Sequence, residues 1–302
     1  MRLVVDPMII HSNGTSNSNY TGRFAPSPTG PLHFGSLVAA LASFLDARHN
    51  HGLWLLRIED LDPPRESIAA PEIIIQQLRS HGLLWDGDIL YQSMRLHAYK
   101  YALDKLAQNK LVFPCDCIRK NLPPVYPGTC RHKSLAELKQ PVAFRILMNE
   151  AQINITDTVL GDQHWNARSG CGDFIIKRKD GLFAYQLAVV VDDGFQKVTH
   201  VVRGADLLES TPRQVYLAQK LDLPVMNYTH IPLVLGQSGD KLSKQSHAAA
   251  IDEKSAPDNL IRALGFLGQV RPSDSNSVNS ILKVAIDKWD VHSVPKQAGL
   301  IA

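Results

Sequence analysis

The stretch RFAPSPTGPLHFGSL, residues 23–37, decides the fold that the sequence predicts. Its prolines and glycines fix a tight turn, and the apolar residues that follow, over 37–45, recur at the spacing of a helix. The start of a helix carries unpaired N–H groups and a partial positive charge, which attract phosphate. His33, Gly35 and Ser36 would meet a bound triphosphate there, so the turn is typical of a nucleotide site. A proline-rich loop with an ordinary helix cap at Ser36 is the alternative.

Segments typical of strands and helices alternate beyond this turn, as in a parallel sheet with crossover helices. A buried strand is predicted for LWLLRI at 53–58, next to acidic residues. Apolar residues at helical spacing predict helices over 71–82, 96–110 and 211–221. Hydrophobic runs predict further strands, with the sequences DFIIKR, LFAYQLAVVVDD, VTHVVRG and HIPLVLG. The sequence therefore predicts a nucleotide-binding sheet in two halves, followed by a mostly helical tail.

A second segment, GQSGDKLSKQS at 236–246, follows the last of these predicted strands and carries Lys241 and Lys244. Long cationic side chains on a loop rich in glycine and serine suit a pyrophosphate that is held during a reaction and then released. A solvated loop is the alternative for this segment when it is taken alone.

Together, in this order and at this separation, the two segments resemble the signature pair of the class I aminoacyl-tRNA synthetases. The blocks GRFAPSPTGPLHFGS, RIEDLDPPR, GLLWDGD, VVRGADLLESTPRQ and IPLVLGQSGDKLSK are similar to the glutamyl-tRNA synthetase branch. The resemblance implies an α/β fold, in which a Rossmann-like parallel sheet carries a zinc-containing insertion and a short helical C-terminal region. The predicted domains are a disordered extension (1–20), the first half of the nucleotide-binding domain (21–105), the zinc-containing insertion (106–185), the second half with the KLSK loop (186–246) and the helical C-terminal region (247–302).

Each signature departs from the usual residues of these synthetases at two positions. Phe34 and Ser36 stand in the signature at the helix start, where Ser36 replaces a final histidine but keeps a hydrogen-bond donor. In the lysine signature, Leu242 replaces a methionine of similar volume and Gln245 replaces the final serine. We expect activity to survive these changes.

The resemblance also assigns an active site. Arg23 would bind the side-chain carboxylate of L-glutamate and Glu59 its ammonium group, and a selective glutamate pocket does need planar cationic groups and an acid. From the residues alone, surface ion pairs for the arginines, a buried aromatic at Tyr185 and a charged strand end at Glu59 are the alternatives. His33 and Lys244 would be catalytic and neutralise charge on the phosphates of ATP, together with Mg²⁺. The sets implied are Arg23, Phe24, Ala25, Pro26, Ser27, Glu59, Tyr185 and Arg203 for L-glutamate, and His33, Gly35, Ser36, Lys241 and Lys244 for ATP.

Three cysteines, Cys115, Cys117 and Cys130, lie in one proline-rich loop, CDCIRKNLPPVYPGTC. Thiolates at this spacing predict a structural Zn²⁺ site that needs a fourth ligand, whereas cysteines packed as small hydrophobic residues are the alternative. His132 is the chemically ordinary fourth ligand. The resemblance points instead to Tyr126, and we predict Tyr126.

The region around this loop is basic, with six Lys/Arg against two Asp/Glu over 115–145. Such a surplus indicates a surface that meets the backbone of tRNA, or else a solvated basic face. Cys171 lies far along the chain and is predicted to be an ordinary buried thiol.

The length of the chain after the lysine signature bears on the acceptor of the glutamate. Only 56 residues follow Ser246, too few for the anticodon-reading domains of a full glutamyl-tRNA synthetase. A short chain of this kind with a zinc loop resembles the glutamyl-queuosine tRNA(Asp) synthetase family. The resemblance implies that glutamate is activated with ATP, without tRNA, and passed to the queuosine base of tRNA(Asp). A truncated glutamyl-tRNA synthetase that charges a 3′ end, and a catalytically silent paralogue that binds tRNA or glutamate, remain as alternatives.

The composition excludes some other classes of protein. There is no run of eighteen apolar residues for a membrane span, and four cysteines, three of them in one loop, argue against a disulfide framework. The formal net charge of +3 neither demands nor excludes nucleic acid. We expect a cytoplasmic monomer, with a start at Met1 or Met8 left open.

Overall fold

Two sets of parallel strands lie at the centre of the computed structural model, which describes residues 19–236, 249–272 and 277–301. The first set consists of β1 (Thr21–Phe24), β2 (Leu53–Ile58) and β3 (Leu90–Tyr91). The second set consists of β9 (His200–Gly204) and β10 (Asn227–Ile231). The Thr199 N–H donates to the Thr21 carbonyl oxygen at 2.9 Å, so β9 starts beside β1. This arrangement confirms the predicted α/β fold with a parallel sheet in two halves.

Helices alternate with the strands of the first set, as predicted: α1 (Phe34–His49) lies between β1 and β2, α2 (Ala70–Ser80) lies between β2 and β3, and α3 (Leu96–Gln108) follows β3. The apolar residues over 37–45 are buried, apart from Ala39, which is half-buried. α2 has Pro71 in its first turn and is followed by Gly82, whose φ of +69° is one that glycine adopts without strain. The helix over 211–221 is also confirmed, as α5 (Thr211–Leu221).

One predicted strand is in fact a helix. The run LFAYQLAVVVDD forms most of α4 (Tyr185–Phe195), which packs against α5. A continuous apolar run does not by itself distinguish a buried strand from a buried helix. Here tertiary packing overrides the β preference of the three valines, because the helix is covered by its neighbours at Leu187, Ala188, Val189 and Val190.

The chain between α3 and α4 forms antiparallel strands. One sheet contains β4 (Val112–Cys115), β5 (Ala143–Ile146) and β8 (Ile175–Lys177). A hairpin follows β5 along the chain and consists of β6 (Gln152–Asp157) and β7 (Gly161–Asn166). The predicted insertion lies in this part of the chain, and its boundaries at 106 and 185 remain predictions, as do the other domain boundaries.

The C-terminal part of the described chain contains α6 (Ala256–Phe266) and α7 (Val278–Lys288), as predicted for a helical region. The indole N–H of Trp289 donates to Asp46 Oδ1 at 2.8 Å, and the Tyr20 hydroxyl donates to the other oxygen of the same carboxylate. Asp46 lies on α1, so these contacts hold the C-terminal region against that helix. Among the described helices, none has the length and apolar character needed to cross a membrane.

The predicted strand HIPLVLG is divided at Pro232 into β10 and β11 (Leu233–Leu235), because proline has no N–H for a sheet. β11 pairs in parallel with β12 (Gly299–Ile301).

Candidate active site

A cleft of about 690 Å³ opens where the carboxyl ends of the parallel strands meet the starts of α1 and α4. Open parallel sheets bind their ligands at this position. The predicted residues that line the cleft are Arg23, Phe24, Ala25, Pro26, Ser27, Glu59, Tyr185 and Arg203 from the glutamate set, and His33, Gly35 and Ser36 from the ATP set. Residues from positions 23 to 203 therefore meet in one cleft, as the site prediction requires. Lys241 and Lys244 lie outside the described residues.

His33 caps the start of α1. Its Nδ1 accepts a hydrogen bond from the Ser36 N–H at 3.2 Å, and its Nε2 lies 3.1 Å from Ser36 Oγ. With Nδ1 as acceptor, the neutral ring carries its proton on Nε2. A Cβ atom at Gly35 would lie 3.2 Å from the His33 ring, so glycine leaves room for the ring. The helix cap is therefore His33 rather than Ser36, and both side chains stand at the helix end that attracts phosphate.

Arg23 is held by Asp193 of α4. Asp193 Oδ1 accepts from Arg23 Nε at 3.3 Å and lies 2.8 Å from Arg57 Nη2. Burial would raise the pKa of Asp193, but the two guanidinium groups hold that pKa below its usual value. Within the described residues, Asp193 is the hydrogen-bond partner of the Arg23 side chain. The terminal nitrogens of Arg23 thus remain for a ligand, in the arrangement that suits a carboxylate.

Glu59 follows β2 and lies 3.5 Å from Arg57 Nη2 through its Oε1. Burial raises the pKa of Glu59 to about 6, although Arg57 and Arg23 oppose the increase. The carboxylate is therefore ionised at neutral pH and can pair with a cationic group in the cleft.

Arg203 is fixed by several partners behind the cleft wall. Its Nε donates to His230 Nε2 at 3.1 Å and its Nη1 to Gln214 Oε1 at 2.7 Å. Its Nη2 donates to Thr211 Oγ1 at 2.6 Å and to the Leu207 carbonyl at 3.2 Å. Arg203 is thus a buried, oriented cation, which excludes the surface ion pair that was its alternative.

The three cysteines of the proline-rich loop form a cluster, with sulfur atoms within 4.8 Å of one another. A tetrahedral Zn²⁺ at ~2.3 Å from each sulfur would separate the sulfurs by about 3.8 Å, so the cluster fits the metal. The Tyr126 hydroxyl lies 3.5 Å from Cys115 Sγ and 3.7 Å from Cys117 Sγ. His132 is exposed. The chemistry of this donor set suits zinc, and the position of Tyr126 beside the thiols favours it as the fourth ligand.

Arg145 stands behind this cluster. Its Nε donates to Cys115 Sγ at 3.3 Å, and its guanidinium carbon lies 3.9 Å from the centre of the Tyr126 ring. Burial would raise the pKa of Cys115, but hydrogen bonds with Tyr126 and Arg145 lower it to about 7. Metal binding requires thiolates, and a cation beside the sulfur favours that form. Cys171, by contrast, is buried among apolar residues of the core.

Comparisons with known proteins identify the family of the chain. The family model for the catalytic domain of class I tRNA synthetases (E and Q) matches residues 20–125 and 125–270. The glutamyl-Q tRNA(Asp) synthetase of Thiobacillus denitrificans is 50% identical over 285 residues, which cover 91% of this chain and 94% of that protein. The chain belongs to the glutamyl-Q tRNA(Asp) synthetase family. Another member, from Escherichia coli O157:H7, is 48% identical and matches 94% of this chain and 93% of its own length. The family consists of class I synthetases, which are ligases, so the chain is an enzyme.

Two solved structures share the fold of this glutamyl-Q tRNA(Asp) synthetase family member. One is the glutamate tRNA ligase of Elizabethkingia meningosepticum in complex with its amino acid, with a TM-score of 0.78 and 24% identity. The other is the glutamate–tRNA synthetase of Elizabethkingia anophelis, with a TM-score of 0.79 and 24% identity. The matches cover 94% of this chain and 67% and 68% of the other two chains, and they confirm the class I synthetase fold.

The sequence prediction missed the residues that hold the arginines and Glu59 of the cleft in place. Asp193, Arg57 and His230 are buried and contact the arginines of the cleft or Glu59. The paired acids at the end of VVVDD were a usable signal, because two acids in an apolar run need buried partners. His230 gave no comparable signal.

Proposed function

We propose that this member of the family activates L-glutamate with ATP, without tRNA, and transfers it to the queuosine base of tRNA(Asp). The observation that carries the proposal is the cleft, in which Arg23 and Glu59 stand beside the phosphate-attracting start of α1. A cationic group and an anionic group at one end of a cleft suit the carboxylate and the ammonium of an amino acid. The names of the relatives support glutamate as that amino acid and queuosine as the acceptor.

The reaction follows from these positions. An α-carboxylate oxygen of glutamate attacks the α-phosphorus of ATP, an O–P bond forms, and the bond to pyrophosphate breaks. The enzyme contributes mainly orientation and charge stabilisation. His33 at the start of α1 would stabilise phosphate charge, and Mg²⁺, which enters with ATP, would neutralise more of it. Lys241 and Lys244 remain the predicted partners of the pyrophosphate. In the second step, a hydroxyl of the acceptor displaces AMP from the glutamyl-adenylate.

A second cleft, of about 710 Å³, offers a surface for the RNA. It lies beside the cysteine cluster and is lined by five basic and two acidic side chains: Arg65, Arg119, Arg145, Arg178, Lys179, Asp62 and Asp180. Arg119 is exposed, so its charge is available to a phosphate backbone, whereas the exposed Arg65 is paired with Asp62. Phosphate contacts of this kind position RNA without reading its sequence. Of the six basic residues over 115–145, Arg119 and Arg145 line this concave surface, which supports it as the surface on which RNA docks.

The zinc would be structural in this proposal. Cys115, Cys117, Cys130 and Tyr126 would hold it, and the ion would cross-link the loop that forms one wall of the basic cleft. No step of the reaction depends on it. We also propose that the protein is a cytoplasmic monomer. Measurement of its native mass in solution would test the monomeric state.

Two measurements test this function together. The first is ATP–pyrophosphate exchange with glutamate in the absence of tRNA. The second is transfer of labelled glutamate to tRNA from queuosine-containing and queuosine-lacking cells, and to the isolated anticodon stem-loop of tRNA(Asp). We expect exchange without tRNA, label only on queuosine-containing tRNA, and label on the stem-loop fragment, which has no 3′ acceptor end.

The other outcomes identify the rival functions. Equal label on both tRNA samples, with none on the stem-loop, would indicate charging of a 3′ end. Absence of ATP–pyrophosphate exchange, together with absence of label on every RNA sample, would indicate a silent paralogue. Arg23→Ala serves as the matched control, because it removes a cation of the glutamate pocket and should abolish exchange and transfer together.

A further inference from the structure

Hydrogen bonds fix the orientation of the Arg203 guanidinium group. A guanidinium group has five N–H donors. Four of these donors have partners within the described chain, namely His230, Gln214, Thr211 and the Leu207 carbonyl. One N–H on Nη1 remains for a ligand in the cleft. The direction of that N–H depends on the side chains that hold the other four.

His230 holds the Nε of Arg203 and is completely buried. Since the Arg203 N–H is the donor, His230 Nε2 must be an acceptor and the ring must be neutral. The ring proton is then on Nδ1, which lies 2.7 Å from Asp157 Oδ2. Burial lowers the pKa of His230, and the nearby Arg203 adds to this effect while Asp157 opposes it. Geometry and environment thus agree on one tautomer.

Asp157 fixes that tautomer from a rigid position. Its Oδ1 accepts the N–H groups of Val159 at 3.1 Å and Leu160 at 2.9 Å, and its Oδ2 accepts the backbone N–H of His230 at 3.0 Å. The side chain is buried, and it stands at the end of β6 in the hairpin between α3 and α4. The hairpin therefore reaches the glutamate pocket through two buried side chains.

We propose that His230 and Asp157 are positioning residues for Arg203, and that together they orient its remaining N–H toward the bound amino acid. Neither side chain lines the cleft, so neither contacts the substrate. This inference rests on the proposed function, because it assumes that Arg203 binds glutamate. It adds that part of the amino-acid pocket is built by the hairpin of the insertion.

Two substitutions of His230 separate positioning from mere packing. In His230→Gln, the amide can place an acceptor near the former Nε2 and keep the bond from Arg203. In His230→Asn, the shorter amide can replace Nδ1 toward Asp157, but Arg203 loses its acceptor. We expect the KM for glutamate in ATP–pyrophosphate exchange to rise roughly 10- to 100-fold in His230→Asn, and only a few-fold in His230→Gln. The KM for ATP should change little in either.

Asp157→Asn and His81→Gln complete the set. Both oxygens of Asp157 accept N–H groups, so the amide N–H of Asp157→Asn would face another donor, such as the Nδ1–H of His230. This substitution should also raise the KM for glutamate, by about tenfold or more. His81 is another completely buried histidine, on no wall of the cleft, so His81→Gln should leave both KM values unchanged. The thermal midpoint of each variant reports on folding, and the ratio of the two KM values does not depend on the fraction of folded enzyme.

The outcomes distinguish this inference from the proposed function. If wild-type protein exchanges with glutamate but His230→Asn keeps the wild-type KM for glutamate, the positioning role is wrong. The same conclusion follows if His230→Gln and His230→Asn raise both KM values equally. If wild-type protein shows no exchange with glutamate, the proposed function fails and this inference fails with it.

Discussion

Glu59 stands in the cleft next to two arginines, with a side chain that is 9% exposed. Because burial raises its pKa to about 6, the group is ionised above pH 6 and neutral below it. Only the ionised form attracts an ammonium group, so the KM for glutamate should rise as the pH falls through 6. A single proton predicts a KM about tenfold higher at pH 5 than at pH 7.5. Measurement of the KM for glutamate in ATP–pyrophosphate exchange over this pH range, with the KM for ATP measured in parallel, would test this prediction.

Glu59→Gln is the matched control for this pH dependence. It removes the titrating group at nearly constant size, so the KM for glutamate should be high and independent of pH. Asp193 has a pKa below its usual value and does not titrate in this range. An inflection near pH 6 that persists in Glu59→Gln would assign the effect to another group.

At the scale of single residues, the sequence predicted the walls of the cleft but not their supports. Arg23, Glu59 and Arg203 belong to local motifs, and the topology of a parallel sheet brings such motifs to one edge. Asp193 and His230 support them from elements far along the chain, since Asp193 lies 170 positions after Arg23. Such pairs depend on how helices and strands pack, and a local pattern does not record that packing.

At the scale of elements, the cysteine loop poses a choice between two ligands. The Tyr126 hydroxyl lies among the sulfur atoms, whereas His132 is exposed. We expect Tyr126→Phe to lower zinc affinity at least about tenfold, because the fourth ligand is lost, and His132→Ala to leave it unchanged. Metal content after dialysis against a graded series of chelator concentrations measures both.

Tyr101→Phe controls for the loss of a tyrosine hydroxyl as such, because Tyr101 is exposed on α3. The reverse pattern, with zinc lost from His132→Ala and kept by Tyr126→Phe, would make His132 the ligand. Retention of zinc by both variants would point to water or another side chain in the fourth position.

The helix α4 shows where prediction of elements fails. Its sequence joins β-branched residues with an apolar run, and both are typical of a buried strand. Its charged end adds a second reason for the helix, since Asp192 and Asp193 are buried and each needs a cationic partner. Arg95 lies 2.6 Å from Asp192, and Arg57 lies 2.8 Å from Asp193. The helix places the two acids to meet these partners, which come from elements that the run itself does not reveal.

At the scale of the whole molecule, alternation along the chain predicted the parallel sheet, and the comparisons identified its family. The attachment of the C-terminal region was not predicted. Trp289 is 4% exposed, and its indole N–H donates to Asp46 of α1, which also accepts from Tyr20. One carboxylate of α1 therefore joins the start of the first strand to the end of the helical region.

This junction predicts how the molecule loses stability. Trp289→Ala removes a buried aromatic side chain as well as a hydrogen bond, and it should lower the free energy of unfolding by about 3–5 kcal/mol. Trp289→Phe keeps most of the packing but removes one donor from a buried carboxylate, so a loss of about 1–3 kcal/mol is expected. Chemical denaturation followed by circular dichroism measures both losses. Trp165→Phe is the matched control, because Trp165 is half-buried on β7, and its loss should be smaller.

Because Trp289 and Asp46 lie outside the cleft, the KM for glutamate in Trp289→Phe should equal that of the wild type. An altered KM would mean that the C-terminal region acts on the active site through α1, and a free energy of unfolding unchanged in Trp289→Ala would mean that the junction does not hold the molecule together.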